Sequence, residues 1–389
     1  MKNSSKNILM IAKWYPFKED PQFGVFIQKH AKAIAIENKV VVLYASSNAN
    51  QNESYVFEIN QEHNLLEIII SFKKNESVFS GLINGYRYYK AIKEGIKKSK
   101  HFFEKPDLIH AYILLRTAVV AAYLSFIYKV PYVINEQWSG YATGKFSNFS
   151  FFKKALTKKL VRRSSGLICV SDFLLKKMHE CKIGNANEMV IPNTIETVHQ
   201  INKMNESTVN VLLVADLVDE IKNVSSVIRA AAKISKEKHD FVLRIIGQGK
   251  DKEMLMEIAR GLGVLNTFVI FEGLKSNQEV YSYLLRCDFL VMNSRFETFS
   301  LICCEAMSCG KPVLATRCGG PQEFVDDKTG ILIDVDDDVA LEMNFRFLLE
   351  NHKQFDSHEI ISKVKTRFSQ ETVFRMYSRF YEMVLKSKF

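Results

Sequence analysis

The stretch Met292–Val325, MNSRFETFSLICCEAMSCGKPVLATRCGGPQEFV, decides how the rest of this 389-residue chain is read. An apolar run of strand type, Phe289-Leu290-Val291, stands just before it, and the polar residues that follow carry Glu297. Ser300 has the chemistry of a residue that caps or opens a helix, with apolar positions following at once. Gly310 suits the left-handed stop of that helix, and Pro312 lies just beyond. Glu305, eight positions after Glu297, then falls about a turn and a half into the helix, so both acids can face one cleft at its start. The free N–H groups of Phe299, Ser300 and Leu301 would point into that cleft and attract phosphate. A strand from Pro312 to Thr316 follows, then a Gly319-Gly320 loop with Pro321 opening another helix. Carboxylates for sugar hydroxyls and a helix N-terminus for phosphate together read as a nucleotide-sugar pocket. Two acids at this spacing also occur on solvated helix faces, so the surrounding run, not the pair, carries the reading.

Outward from this segment, strand and helix patterns alternate in both directions. Ile8–Ala12, Lys39–Tyr44, Leu108–Ala111, Tyr132–Ile134 and Gly166–Val170 read as strands, separated by helical patterns such as Val25–Ile36, Gly85–Lys100 and Thr117–Tyr128. Residues 48–78 are polar with one strand-like piece, Leu65–Ser71. Glu196–Thr208 is polar and without apolar periodicity, which suits a linker, after which the alternation restarts with the strand Asn210–Ala215. Such alternation implies parallel sheets covered on both faces. The expected fold is α/β with two doubly wound, Rossmann-like domains, 1–197 and 198–371, followed by an aromatic-rich amphipathic helix within 372–389. Ligands bind beyond the carboxyl ends of the strands in sheets of this kind.

Composition bounds the function. A length of 389 residues, 47% hydrophobic and 25% charged, accommodates two soluble domains. The net charge of +10 is uneven: residues 1–200 hold 28 Lys and Arg against 16 Asp and Glu, and the remainder 25 against 27. Seven cysteines without C-x-x-C spacing argue against a zinc site or a disulfide framework; Cys303, Cys304 and Cys309 suit small hydrophobes in a reducing cytoplasm. The apolar run Ile8–Ala12 before Lys13 is a first strand rather than a signal peptide, and Ala118–Tyr128 is too short to span a bilayer.

Glu297, Glu305, Ala306, Met307, Cys309, Gly310, Pro312, Val313, Ala315, Thr316, Gly319, Gly320 and Glu323 together resemble the signature of the retaining glycosyltransferases of family 4, also called group 1. The resemblance implies the GT-B fold, with two domains facing a central cleft and the C-terminal helix crossing back to the first. It implies an acceptor-binding first domain and a donor-binding second one. Glu305 would then hold the ribose hydroxyls and Glu297 those of the transferred sugar, with Phe299, Ser300 and Leu301 offering main-chain N–H groups. Lys222 fits the lysine that offsets the donor pyrophosphate, whereas Asp216 stands where the family places an arginine. Gly24 matches the glycine that lets the first loop approach the phosphates; any loop-to-helix glycine looks similar. Gly247, in Gly247-Gln248-Gly249, lines the donor site in the family, and Leu274 follows the glycine where main-chain groups hold the base. Gln137 occupies the place of a family histidine and cannot carry a proton at neutral pH.

Other elements are weighed on their residues. Gly-x-Gly at 247–249 lacks the third glycine of a dinucleotide fingerprint, Lys252 standing there. His110, at a strand end, reads as structural. Asp334, Asp336, Asp337 and Asp338 read as solvated acids opening a helix, and no metal site is expected. Gly144–Arg163 mixes four Phe with seven basic residues; it reads as a helix with a lysine-rich solvent face or as a segment that lies on an anionic membrane. Nucleic acid is not expected. The expectation is therefore a retaining, metal-independent glycosyltransferase. It would use a UDP- or GDP-type sugar donor and a glycan or lipid-linked glycan acceptor, in cell-surface polysaccharide synthesis. The expected location is the cytoplasm, with peripheral docking at the inner face of the membrane. The alternatives are a GT-B nucleotide-sugar epimerase and a non-catalytic membrane-surface partner of a polysaccharide assembly complex.

Overall fold

Long apolar strands that bury both faces alternate here with amphipathic helices, and each such series closes into its own parallel sheet. The computed structural model describes residues 5–196 and 208–386. Most of the expected linker, and the expected boundary at 197/198, lie outside the described residues. The chain divides into two units. One comprises 1–170, 174–194 and 370–389, the other 171–173 and 195–369.

The first unit runs β1 (Asn7–Ala12), α1 (Val25–Ile34), β2 (Lys39–Asn48), β3 (Tyr55–Glu62), β4 (Leu65–Lys73), α2 (Ser80–Ser99), β5 (Leu108–Tyr112), α3 (Arg116–Tyr128), β6 (Tyr132–Glu136), α4 (Phe151–Arg163), β7 (Gly166–Cys169), α5 (Asp172–Glu180, whose Asp172 and Phe173 group with the second unit) and β8 (Glu188–Val190). Its strands are ordered β3-β4-β2-β1-β5-β6-β7-β8. All pairs are parallel except β3 with β4, where Tyr55 stands opposite Phe72 and Glu62 opposite Leu65. Residues 55–62, read from sequence as part of a polar stretch, are thus a sheet-edge hairpin strand with mostly exposed side chains, as suits an edge. Within the segment Gly144–Arg163, α4 occupies only Phe151–Arg163, because 145–148 form a separate turn of 3₁₀ helix after Gly144, whose φ is 74°.

The second unit runs β9 (Val209–Val214), α6 (Asp219–Lys222), α7 (Val224–Ile234), β10 (Phe241–Ile246), α8 (Lys252–Gly261), β11 (Val269–Gly273), α9 (Asn277–Arg286), β12 (Phe289–Met292), α10 (Leu301–Ser308), β13 (Val313–Thr316), β14 (Gly330–Ile333), α11 (Asp338–Asn351) and α12 (Ser357–Phe368). Its six strands are all parallel, in the order β11-β10-β9-β12-β13-β14. The order reverses between β9 and β12, the switch point at which such sheets bind ligands. Pro321 opens only a turn of 3₁₀ helix, Gly320–Glu323.

The last helix, α13 (Gln370–Lys386), packs on α1 in the first unit. Val373, Phe374, Tyr377, Phe380, Tyr381 and Val384 are buried there. At ~1.5–3 kcal/mol for each large apolar side chain, this face contributes on the order of 10 kcal/mol before ordering costs. The tyrosine hydroxyls enter a polar knot that is closed to water. His30 Nε2 lies 3.2 Å from the Pro192 carbonyl, which can only accept, so this nitrogen carries the proton and Nδ1 accepts from the Tyr377 hydroxyl at 2.9 Å. Tyr377 is also 2.8 Å from Asn135 Nδ2 and 3.1 Å from the Tyr112 hydroxyl. His110 Nδ1 meets the Tyr381 hydroxyl at 2.7 Å. Burial pushes His30 down to about 3, and burial with the nearby His30 holds His110 well below the ordinary histidine range.

Candidate active site

β9 and β12 are neighbours, so residues far apart in sequence emerge side by side at their carboxyl ends. After β9 the chain forms the single turn α6, and after β12 a loop leads to α10. Lys222 Nζ, at the end of α6, lies 2.6 Å from Glu297 Oε1, and Ser294 Oγ donates to the same oxygen at 3.0 Å. Both side chains remain partly open to solvent, Lys222 at 22% and Glu297 at 16%. Burial pulls the Lys222 ammonium down, but Glu297, with Asp216 adding to it, outweighs burial and leaves its pKa raised. The lysine is therefore a held cation.

Main-chain carbonyls of α6 are gripped from the β12 loop. The Arg295 N–H donates to Ile221 O at 2.7 Å, and its Nη1 to Asp219 O at 2.9 Å and Glu220 O at 3.2 Å. Asn293 Nδ2 donates to Asn223 O at 3.2 Å, and Asp336 accepts from Arg295 Nε at 2.6 Å. Asp337 caps α11 through the Ala340 N–H, and Asp334 faces Arg317. Among the described residues no group of three or more His, Cys, Asp and Glu side chains could hold a metal ion.

Glu297 is fixed through its backbone by the double glycine. Its N–H donates to Cys318 O at 3.1 Å, and its carbonyl accepts from the Gly320 N–H at 2.9 Å. A Cβ on Gly320 would lie 2.4 Å from Phe299 Cα, and one on Gly319, whose φ is 126°, would lie 2.5 Å from Glu297 O. These glycines let two loops lie against each other where a side chain has no room. Glu323, the last signature residue, accepts from the N–H groups of Asp172 at 3.2 Å and Phe173 at 2.7 Å.

At Ser300 the structure corrects the sequence reading. Ser300 occupies the N-cap position of α10, but with φ 72° its side chain accepts no helix N–H. Its hydroxyl donates to Cys303 Sγ at 3.2 Å instead. Phe299 is buried against Phe324 and Phe368, with ring centroids 5.4 Å away from each. Leu301 opens α10, and Glu305 sits within it, 6% exposed. Tyr281 of α9 was not singled out in the sequence; burial, then Glu305, push its hydroxyl well up.

Gly247 and Gly249 have the same kind of origin. A Cβ at Gly247 would be 1.9 Å from Ala215 O and one at Gly249 2.4 Å from Leu217 O. The Leu217 N–H donates to Gln248 O at 3.0 Å, which zips the 215–218 loop to this turn and so places α6. Leu274 follows Gly273 (φ 75°) and is 66% exposed. Asp216, at the place of the expected arginine, is exposed.

In the first unit, Gly24 has φ 67°, and a Cβ there would lie 2.6 Å from the carbonyl carbon of Trp14. Glu136 is wholly buried. Its carboxylate accepts from the N–H groups of Leu114, Gln137 and Trp138 and from the Tyr141 hydroxyl, so it ties the loops after β5 and β6 together. Burial, the largest influence, raises its pKa against the pull of these donors. Gln137 is buried, and its Nε2 has no hydrogen-bond partner among the described residues. All seven cysteines are free, six of them buried.

Two α/β units on doubly wound sheets, one with a paired lysine and glutamate beside a helix start at its switch point, have the architecture of the GT-B fold. The family model for group 1 glycosyl transferases matches residues 194–366, and that for Glycosyltransferase Family 4 matches 25–199. An uncharacterized glycosyltransferase of Methanocaldococcus jannaschii is 30% identical over 302 residues, covering 76% of this chain and 78% of that one. The chain belongs to the family 4, group 1 glycosyltransferases. An N-acetylgalactosamine-N,N'-diacetylbacillosaminyl-diphospho-undecaprenol 4-alpha-N-acetylgalactosaminyltransferase of Campylobacter jejuni is 32% identical over 151 residues, 38% of this chain and 39% of its own length. Among solved structures, HepE of Anabaena in complex with UDP and glucose superposes with a TM-score of 0.74 at 18% identity, covering 97% of this chain and 99% of that one. Sucrose-phosphate synthase of Thermosynechococcus elongatus does so at 0.75 and 15%, with the same coverage.

Proposed function

We propose that this glycosyltransferase moves a sugar, with retention and without a metal ion, from a nucleoside diphosphate sugar to a glycan or lipid-linked glycan acceptor in cell-surface polysaccharide synthesis. The observation that carries the reading is the 2.6 Å Lys222–Glu297 pair beside the start of α10. Without ligand each side chain neutralises the other. A diphosphate competing for Lys222 releases Glu297 to accept hydrogen bonds from the hydroxyls of the transferred sugar. Glu305 holds the ribose, the main chain of Phe299–Leu301 faces phosphate, and the Gly247 and Leu274 turns flank the nucleotide. Gly24 gives its loop a close backbone approach. The C1–O bond to the β-phosphate breaks with its electron pair left on that oxygen. The acceptor hydroxyl oxygen bonds C1 on the same face, and its proton passes to the leaving phosphate. Lys222 stabilises the charge that grows on that phosphate, a duty made heavier by Asp216 at the arginine's place. A diphospho-undecaprenol in the name of one relative and UDP in the structure of another support the acceptor and donor classes.

Calorimetric titration with UDP and with GDP, in chelator, tests the pocket. One nucleotide binds the native protein, and Glu305→Ala weakens it by tenfold or more, roughly the worth of a charge-assisted hydrogen bond. Binding of neither, or undiminished turnover in Glu297→Ala, refutes the reading.

A further inference from the structure

α3 is apolar on every side, yet one side has no cover. It buries Ala118, Val120, Ala121 and Leu124 against its own unit and turns Val119, Tyr123, Phe126 and Ile127 outward, with Phe126 83% exposed. Helices apolar all round are normally enclosed. α4 packs beside α3 and starts with Phe151 and Phe152, 78% and 82% exposed, while Phe146 and Phe149 of the preceding turn fold back onto Tyr141 and Trp138. On the other side α2 adjoins α3 through the Tyr89 and Tyr123 hydroxyls, 3.2 Å apart, and through Arg116 over the Tyr88 ring. It adds Leu82 and Tyr86, both exposed.

The charges around this ridge are of one sign. From Leu108 to Ser171 the sole acid is Glu136, which is wholly buried. Against it stand Arg116, Lys129, Lys145, Lys153 and Lys154, with Lys158, Lys159, Arg162 and Arg163 completing α4. A second copy of the same face would meet this excess with its own. The exposed rings would also stack on bases, but the aliphatic Val119, Ile127 and Leu82 that share the face gain nothing from a nucleic acid. An anionic bilayer supplies both an apolar interior for the aromatic tips and phosphates for the ammonium groups. Among the described residues no helix is long and apolar enough to cross a membrane, so the contact is one of surface docking.

We infer that α3 and α4, with the start of α2, form a docking face for an anionic lipid surface. The face lies outside the proposed donor pocket and does not depend on the reaction assigned above. Co-sedimentation of the full chain with vesicles of phosphatidylcholine, with and without phosphatidylglycerol, tests it. Binding to the anionic vesicles exceeds that to neutral ones by tenfold or more and weakens as salt rises, roughly as several basic contacts require. Combined Phe126→Ser, Phe151→Ser and Phe152→Ser abolishes it. Lys153→Glu with Lys154→Glu weakens it separately, with thermal melting and nucleotide affinity unchanged in both sets. Equal binding to neutral and anionic vesicles, or full binding by the phenylalanine variant, overturns the inference. So does self-association or duplex binding that the phenylalanine variant loses while vesicle binding persists.

Discussion

Lowering the pH from 7.5 to 5.5 tests the polar knot under α13. In the folded chain His30 takes a proton only near pH 3, whereas in the unfolded chain it does so near pH 6.5. Between these values the unfolded state binds more protons, so stability is full above about pH 6.5 and drains away as the pH falls. Integrated from pH 7.5 to 5.5, the loss is about 1.4 kcal/mol for one histidine. His110, held well below its ordinary range by the same burial, acts in the same direction and adds to this loss. That is a substantial part of the ~5–15 kcal/mol that holds a domain together. Glu136, raised by burial, works in the opposite sense, and Glu136→Gln removes it from the comparison. The assay is urea unfolding at each pH, for this background and for His30→Gln with His110→Gln added. The background loses at least the roughly 1.4 kcal/mol of His30 across the window, and the variant lacking His30 and His110 much less. Equal pH slopes in the two proteins would refute a knot of neutral, dry histidines.

Other perturbations reach the second unit and the same knot. Lys222→Met leaves Glu297 with Ser294 alone and should lower turnover by roughly 10²–10³-fold, with little change in melting because the pair is partly solvated; unaltered turnover in a steady-state assay would exclude the lysine from the reaction. In Gly320→Ala the new methyl must push against Phe299 Cα, 2.4 Å away, so turnover should fall on the order of 10²-fold from displacement of the Glu297 loop, measured beside a circular-dichroism melt. Tyr377→Phe removes the hydroxyl shared by His30, Asn135 and Tyr112 and should cost about 1–3 kcal/mol in urea unfolding.

The alternation of apolar strands and amphipathic helices was legible because it is a local property, and strands buried on both faces announce themselves as continuous apolar runs. β3 escaped for the converse reason: as an edge strand it carries Glu58, Asn60, Gln61 and Glu62, a polar composition that resembles a loop. In the second unit, Lys222 and Glu297 were each visible as residues. Their 2.6 Å contact was not, since it depends on β9 and β12 becoming neighbours across 75 positions. Ser300 misled because a serine before an apolar helix usually caps it, and only the backbone, at φ 72°, shows that this one turns away. The double glycine read as a turn; its reason is the main chain of Glu297 to Phe299 lying too close for any Cβ. Tyr281 carried no motif. Its proximity to Glu305 follows from α9 packing on α10.

The first unit takes its closing helix from residues 370–386, which a ribosome adds only after the whole of 195–369 has been made. During synthesis the eight-stranded sheet therefore waits, with His30, His110 and Tyr112 lacking the hydroxyls that later satisfy them. The second unit is encoded without interruption from 195 to 369, and it can complete its core first. Translation thus inverts the usual order, with the half begun earlier finished last, and synthesis of residues 370–386 becomes the event that seals it.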